Sequence, residues 1–158
     1  MPELRWYFDL VSPFSWMALP RIEAIAAGGR PVALRPVVLG AILAHWGSIG
    51  PAELAPKRVH TYRLAQFQAE RAGLPMRFPP RHPFNPIAAL RLVTALGATP
   101  AAVRAAFEFV WAEGRDPSDP AELAALGARL GVADAASAVV ICGSRRSASP
   151  ASTSQPYR

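Results

Sequence analysis

The sequence predicts a mixed α/β chain of 158 residues, in which a strand–helix–strand unit is followed by a run of helices. Three observations carry this reading. Residues 4–11 (Leu-Arg-Trp-Tyr-Phe-Asp-Leu-Val) form a short run rich in aromatic and aliphatic side chains and read as a buried strand. Ser12-Pro13 follows directly, a capping side chain and then a residue with φ already fixed, which marks a helix start. Pro31 to Leu39 is a second strand, and no convincing strand recurs before residue 138.

The first helix is expected from Pro13 to Ala27, stopped by Gly28-Gly29, with Pro20 kinking it or removing one backbone bond. Pro36 marks the second strand as an edge or a strand end. Strand, helix and strand at this spacing permit a right-handed βαβ unit with parallel strands. Ala41 to Trp46 is a short helix, and Pro51 to Ala72 a long one ended by Gly73. Leu74 to Pro86 holds five prolines and reads as a loop. Asn85-Pro86, Thr99-Pro100 and Asp119-Pro120 each pair a capping residue with a proline at the first helical position, and a glycine follows each helix. They open helices to Leu96, about Glu113 and Leu130.

Composition excludes several classes. A hydrophobic content of 51% with 18% charged residues excludes a chain disordered throughout. The longest apolar run, around Val37 to Ala44, is far short of the ~20 residues that span a membrane. Met1-Pro2-Glu3 carries no basic and apolar leader pattern, so the expected compartment is the cytoplasm. The net charge is +6, but residues 138–158 hold Arg145, Arg146 and Arg158 and no acid, so half of the excess lies there. The other arginines are spread along the chain, whereas nucleic-acid binders show a basic face or stripe. No nucleic-acid partner and no membrane partner is expected. Cys142 is the only cysteine, which excludes an intrachain disulfide and a cysteine zinc site. His45 and His60 have no ligand spacing with other His, Asp or Glu, so no metal is expected.

The chemistry-bearing candidate is the stretch from Asp9 to Trp16. Strand, tight turn and helix place Ser12 at a helix N-terminus, where unpaired N–H groups and the helix dipole favour a thiolate or carboxylate. A purely structural cap gives the same local pattern.

Tyr7-Phe8-Asp9-Leu10-Val11-Ser12-Pro13-Phe14-Ser15-Trp16 resembles the opening of the 2-hydroxychromene-2-carboxylate isomerases, which belong with kappa-class glutathione transferases in the DsbA-like branch of thioredoxin folds. Arg35 to Ala41, Pro56-Lys57-Arg58, Arg77-Phe78-Pro79-Pro80 and His82-Pro83-Phe84-Asn85-Pro86 continue the resemblance in order, over about residues 4–135. It implies a thioredoxin-like fold with a helical insertion: residues 1–39 as its N-terminal half, 40–137 as the insertion over the substrate pocket, and 138–158 as a tail. It also implies a glutathione-dependent cis–trans isomerase acting on 2-hydroxychromene-2-carboxylate or a related conjugated aromatic acid. Its partners would be glutathione and a small aromatic substrate, with a homodimer as a compatible assembly.

In such a site Ser12 is the catalytic residue and donates a hydrogen bond to the glutathione thiolate. Pro13, Phe14, Ser48 and Asn85 complete the cofactor-binding set. Ser12-Pro13-Phe14-Ser15 stands where redox relatives carry Cys-x-x-Cys, so dithiol–disulfide exchange has no sulfur to run on there. Many members have Lys and then Gly-Asn after the Leu-Gly block. Here the segment is Ala44-His45-Trp46-Gly47-Ser48, without the lysine and with Ser48 in the asparagine position. Asn85 also reads as a helix cap and His82 as a surface histidine. His82 could otherwise serve as acid or base, and Trp46 and Phe78 could line an aromatic pocket or pack in the core.

After Asp134 the family's last strands, final helix and Val-Pro segment do not follow. Residues 143–158 are serine-rich and basic, and read as disordered or as out of frame from about residue 140. Two strands with only each other as sheet partners predict low stability and weak or no glutathione binding. Two other readings stay open: an inactive truncated fragment or interaction module, and a basic nucleic-acid-binding protein.

Overall fold

The computed structural model describes residues 3–135; the expected tail, residues 138–158, lies outside that span. Strand β1 (Leu4–Phe8) pairs in parallel with β2 (Val32–Pro36), in the register Leu4 to Val32 through Phe8 to Pro36. Helix α1 (Pro13–Ala27) makes the crossover between them. It runs unbroken through Pro20, whose missing N–H removes one backbone bond without dividing the helix. Five helices follow: α2 (Leu39–His45), α3 (Ala55–Arg71), α4 (Ile87–Ala95), α5 (Pro100–Phe107) and α6 (Pro120–Arg129). Among the described residues the sheet has these two strands.

The first strand is shorter and less buried than its composition suggests. It ends at Phe8, because the Asp9 side chain turns the chain away from the ladder. It also alternates, with Phe8 buried and Tyr7 59% exposed. The apolar character of Leu4 to Val11 therefore reports one covered face plus a turn, not a strand buried on both sides. The second strand stops at Pro36, and Leu39 already belongs to α2. The long helix starts at Ala55, four residues later than its apolar pattern indicates, since Pro51 to Leu54 form a turn.

Two of the three cap–proline devices form as written. Thr99 accepts from Ala102 N–H, and Asp119 from Ala121 and Glu122 N–H. The Asn85-Pro86 device differs: Pro86 is itself the N-cap, and the Asn85 side chain accepts from Ile87 N–H at 3.0 Å. Helix α5 passes into a π-helical turn at Glu108–Ala112, which buries Phe109, Val110 and Trp111 in succession. The Trp111 carbonyl is met from outside, by Arg77 N–H at 2.6 Å.

The core lies between the covered face of β1 and helices α1, α4 and α5. Trp6 stacks on Phe8 at 5.0 Å, and Phe8 and Trp16 pack on Phe107 at 5.5 and 6.3 Å. Leu19, Leu92, Val93, Val103 and Leu126 close round this stack. Buried rings of this size contribute most of the apolar burial that offsets chain ordering. The core thus fixes β1, and with it the turn that leads from Phe8 into α1.

Candidate functional site

The turn Asp9–Ser12 is held from several directions. Asp9 is 2% exposed, and its Oδ1 accepts from Val11 N–H at 3.0 Å. Its Oδ2 accepts from Leu39 N–H at 2.6 Å. Helix α2 has Val38 at its N-cap and no capping side chain of its own. Asp9 caps it from thirty residues away, satisfying one of its free N–H groups. Burial pushes the Asp9 carboxyl above its ordinary value, only partly countered by the N–H donors of Val11, Leu39 and Leu10. The Leu10 carbonyl accepts from the Trp111 indole N–H at 2.8 Å.

Ser12 is the N-cap of α1, in extended conformation, and its Oγ accepts from Ser15 N–H at 3.3 Å. No acceptor among the described residues takes the Ser12 hydroxyl hydrogen. Pro13 has no N–H, and Phe14 N–H, next along the helix start, has no acceptor among them either. The N-terminus of α1 therefore presents two free donors, with the positive end of the helix dipole behind them.

These donors face a cavity of about 190 Å³. Its apolar wall includes Val11, Pro13, Phe14, Leu43, Phe84 and Ile87, and its polar residues are Asp9, Ser12, Glu53, Thr61, His82 and Asn85. Of the residues expected to bind a cofactor, Ser12, Pro13, Phe14 and Asn85 line this cavity together. Ser48 does not. It is exposed in the turn after α2, its N–H bonded to Leu43 O at 2.8 Å. The Asn85 Oδ1 accepts from Ile87 N–H at the start of α4, and the residue is also part of the cavity lining.

The aromatic candidates separate. Trp46 is 75% exposed, outside the cavity lining, with its ring edge-on to His45. Phe78 is half-buried against Tyr62 and Trp111. The expectation of a surface His82 is corrected. Its ring bridges Val11 O and the Tyr62 hydroxyl, each at 2.8 Å, and packs edge-on to Trp111. Burial lowers its basicity, partly opposed by the hydrogen bond to Val11 O and aided by the Arg58 charge, which favours the neutral ring.

Sequence reasoning placed Asp9 in the candidate stretch without giving it a role, and passed over Tyr62 and Thr61. Asp9 did carry a signal, being a lone carboxylate inside the apolar run from Trp6 to Val11. Tyr62 and Thr61 carried none beyond the helical pattern of α3. No group of His, Cys, Asp and Glu that could hold a metal exists among the described residues, and no described helix is long and apolar enough to cross a membrane.

The arrangement is a short strand, a sharp turn and a helix whose N-terminus opens on an apolar cavity. It can stabilise an anion by hydrogen-bond donation, next to space for an aromatic group. Comparison with known proteins agrees with this architecture. A solved structure of 2-hydroxychromene-2-carboxylate isomerase superposes with a TM-score of 0.72 at 26% identity, over 91% of this chain and 72% of that one. A protein from Nitrosomonas europaea, proposed to be a protein disulfide isomerase, superposes with a TM-score of 0.60 at 18% identity, over 91% of this chain and 77% of that one. No curated protein sequence matches significantly. The DsbA-like thioredoxin domain matches residues 3–149, nearly the whole chain, and the chain belongs to that family.

Proposed function

We propose that this chain is a glutathione-dependent cis–trans isomerase of the 2-hydroxychromene-2-carboxylate isomerase type, acting on a conjugated aromatic acid. One observation carries the reading: the free Ser12 hydroxyl and Phe14 N–H sit together at the α1 N-terminus, facing a mostly apolar cavity. That donor set fits a thiolate, since both groups give hydrogens and the helix end is positive. The apolar wall fits an aromatic ring. Glutathione, when bound, supplies the nucleophilic thiolate whose reversible addition allows a conjugated double bond to rotate.

The chain's own part is to bind and orient. Ser12 and Phe14 hold the sulfur in its anionic form, and Asn85 adds a polar side chain to the lining. Phe14, Phe84 and Ile87 receive the ring and exclude water from it. Ser12 and Ser15 leave disulfide exchange without a sulfur at this helix end, which separates this chain from redox members of the same fold.

The test is isomerisation of 2-hydroxychromene-2-carboxylate, followed by absorbance with and without glutathione, with Ser12→Ala beside the wild type. The expected result is turnover that requires glutathione and falls by about two orders of magnitude in Ser12→Ala, the scale for one anion-stabilising donor. Turnover indifferent to glutathione or to Ser12 overturns the proposal.

A further inference from the structure

We infer that His82 and Tyr62 are a positioning pair for Ser12, in which the His82 ring, locked by Tyr62, holds the Val11 carbonyl and thereby the turn that presents the Ser12 hydroxyl. The inference rests on the reading of Ser12 as the anion-stabilising group.

Geometry places one proton, and the neutral state that burial favours places the other. A carbonyl has no hydrogen to give, so at 2.8 Å from Val11 O the His82 Nε2 carries one. A neutral ring has a single N–H, so Nδ1 is bare and accepts from the Tyr62 hydroxyl, also at 2.8 Å. Both ring nitrogens are thus engaged within the protein. His82 borders the cavity with both ring nitrogens already occupied, which marks it as a positioning group.

What it holds is one peptide plane. The Val11 carbonyl and the Ser12 N–H belong to the same peptide unit. Asp9 O accepts from that N–H at 3.1 Å, while His82 grips the carbonyl. Fixed on both edges, the plane cannot rotate, and Ser12 stays in the extended conformation that an N-cap needs. The preceding carbonyl, Leu10 O, is held by Trp111, so consecutive peptides of the turn are gripped by side chains from distant parts of the chain.

Tyr62 also has a second acceptor. Its oxygen lies 2.9 Å from the His82 backbone carbonyl. If the ring gains a proton, Tyr62 can turn its hydrogen to that carbonyl and accept from Nδ1–H. The Nε2–H bond to Val11 O is the same in both states, so the grip survives protonation. The charged and titratable groups near the pair are Arg58 on α3, one turn before Tyr62, and the carboxylates of Asp9 and Glu53 in the cavity lining.

Three measurements on the full chain test the pair. In the ligand-free protein, nitrogen-15 NMR is expected to show His82 at neutral pH with hydrogen on Nε2 and Nδ1 bare. Tyr62→Phe is expected to let the other tautomer appear. Hydrogen on Nδ1 in the wild type, or no change in Tyr62→Phe, overturns the lock. Exchange of the Ser15 amide, which reports the Ser12 cap, is expected to speed about tenfold in His82→Leu. It should recover in His82→Gln, whose amide can still donate to Val11 O; unchanged exchange in His82→Leu overturns the positioning role. In glutathione titrations read by thermal shift, Ser12→Ala and His82→Leu should each weaken binding about tenfold, and the double variant should match Ser12→Ala within about twofold. Effects that multiply overturn the claim that His82 acts through Ser12. If the wild type binds no glutathione, the proposed function fails, while the tautomer and the Ser15 amide still decide the pair.

Discussion

Replacing Trp111 by Phe tests the mechanical claim that the Ser12 turn is anchored from the helical layer. Trp111 is fully buried in the π-helical turn, and its indole N–H is the partner of the buried Leu10 carbonyl at 2.8 Å. Phenylalanine removes that donor, and an unpaired buried carbonyl costs about 1–3 kcal/mol. The smaller ring leaves a void of roughly 40 Å³, worth about 1 kcal/mol at ~24 cal/mol per Å³. The ring's edge-on contacts with Phe78 and His82, at 5.6 and 5.3 Å, are lost in part. The expected destabilisation is therefore about 2–4 kcal/mol, which in a chain of this size lowers the melting temperature by roughly 5–12 °C. Urea denaturation with an unchanged slope is the assay, since an altered slope signals a change in compactness instead. The variant should also expose the Val11 and Ser12 amides to faster exchange. A loss below about 1 kcal/mol, with those amides as protected as in the wild type, refutes the anchoring.

Four further outcomes are expected. Asp9→Asn removes a titration whose native value is raised: between the ordinary 3.8 and that higher value the native state holds more protons than the unfolded state, so this term stabilises below 3.8 and is lost as pH rises. The wild-type-minus-Asp9→Asn difference in urea midpoint should therefore fall as pH increases through the acidic range, and a rising difference contradicts the assignment. Gly127→Ala sets a methyl group 2.6 Å from the Ala135 Cβ and should cost about 1–3 kcal/mol in the same assay. Gly114→Ala combines a φ of +74° with contacts of 3.0 Å to the Arg77 Cβ and 3.3 Å to the Phe78 carbonyl, and should cost about as much or more. Because the site's groups donate hydrogen bonds without giving up protons, the pH profile of isomerisation should rise to a plateau set by the thiol. His82→Gln, which keeps a donor for Val11 O, should leave both the plateau and its midpoint close to those of the wild type, and a shifted midpoint would assign the titration to His82.

The parts legible in the sequence are those whose physics is local. Ser12, Thr99 and Asp119 each cap a helix through N–H groups two or three residues away, so residue type and spacing determine them. The Ser12 turn itself was legible for the same reason, as a strand end followed by a cap and a proline. The grips on that turn were not. His82 reaches Val11 across 71 positions, Trp111 reaches Leu10 across 101, and Asp9 reaches Leu39 across 30. No local pattern encodes such pairings, and a histidine on a proline-rich loop looks the same whether it meets water or a carbonyl. Pro86 slipped to the N-cap because the Asn85 side chain bonds to the N–H of Ile87, which moves the helix start one residue on. The π-helical turn was hidden too, because the loop residue Arg77, far away in sequence, bonds to the Trp111 carbonyl.

The buried carboxylate beside the Ser12 turn poses an electrostatic problem for an anion site, and the structure meets it by direction. Both Asp9 oxygens are engaged by N–H groups, one from the turn and one from the start of α2. Its charge is thereby spent on the donors that shape the cavity wall, and two helix N-termini converge on the same region. Helix α2 faces a built-in anion, whereas α1 begins with Pro13 and leaves the Ser12 hydroxyl and Phe14 N–H without one. Of the two helix ends, α1 is the one with donors to spare for a bound anion. In redox relatives of this fold a cysteine supplies the sulfur at that place. Among the described residues that line the cavity none is a cysteine, and the helix end contributes hydrogens, whose placement is decided by the side chains that hold the turn.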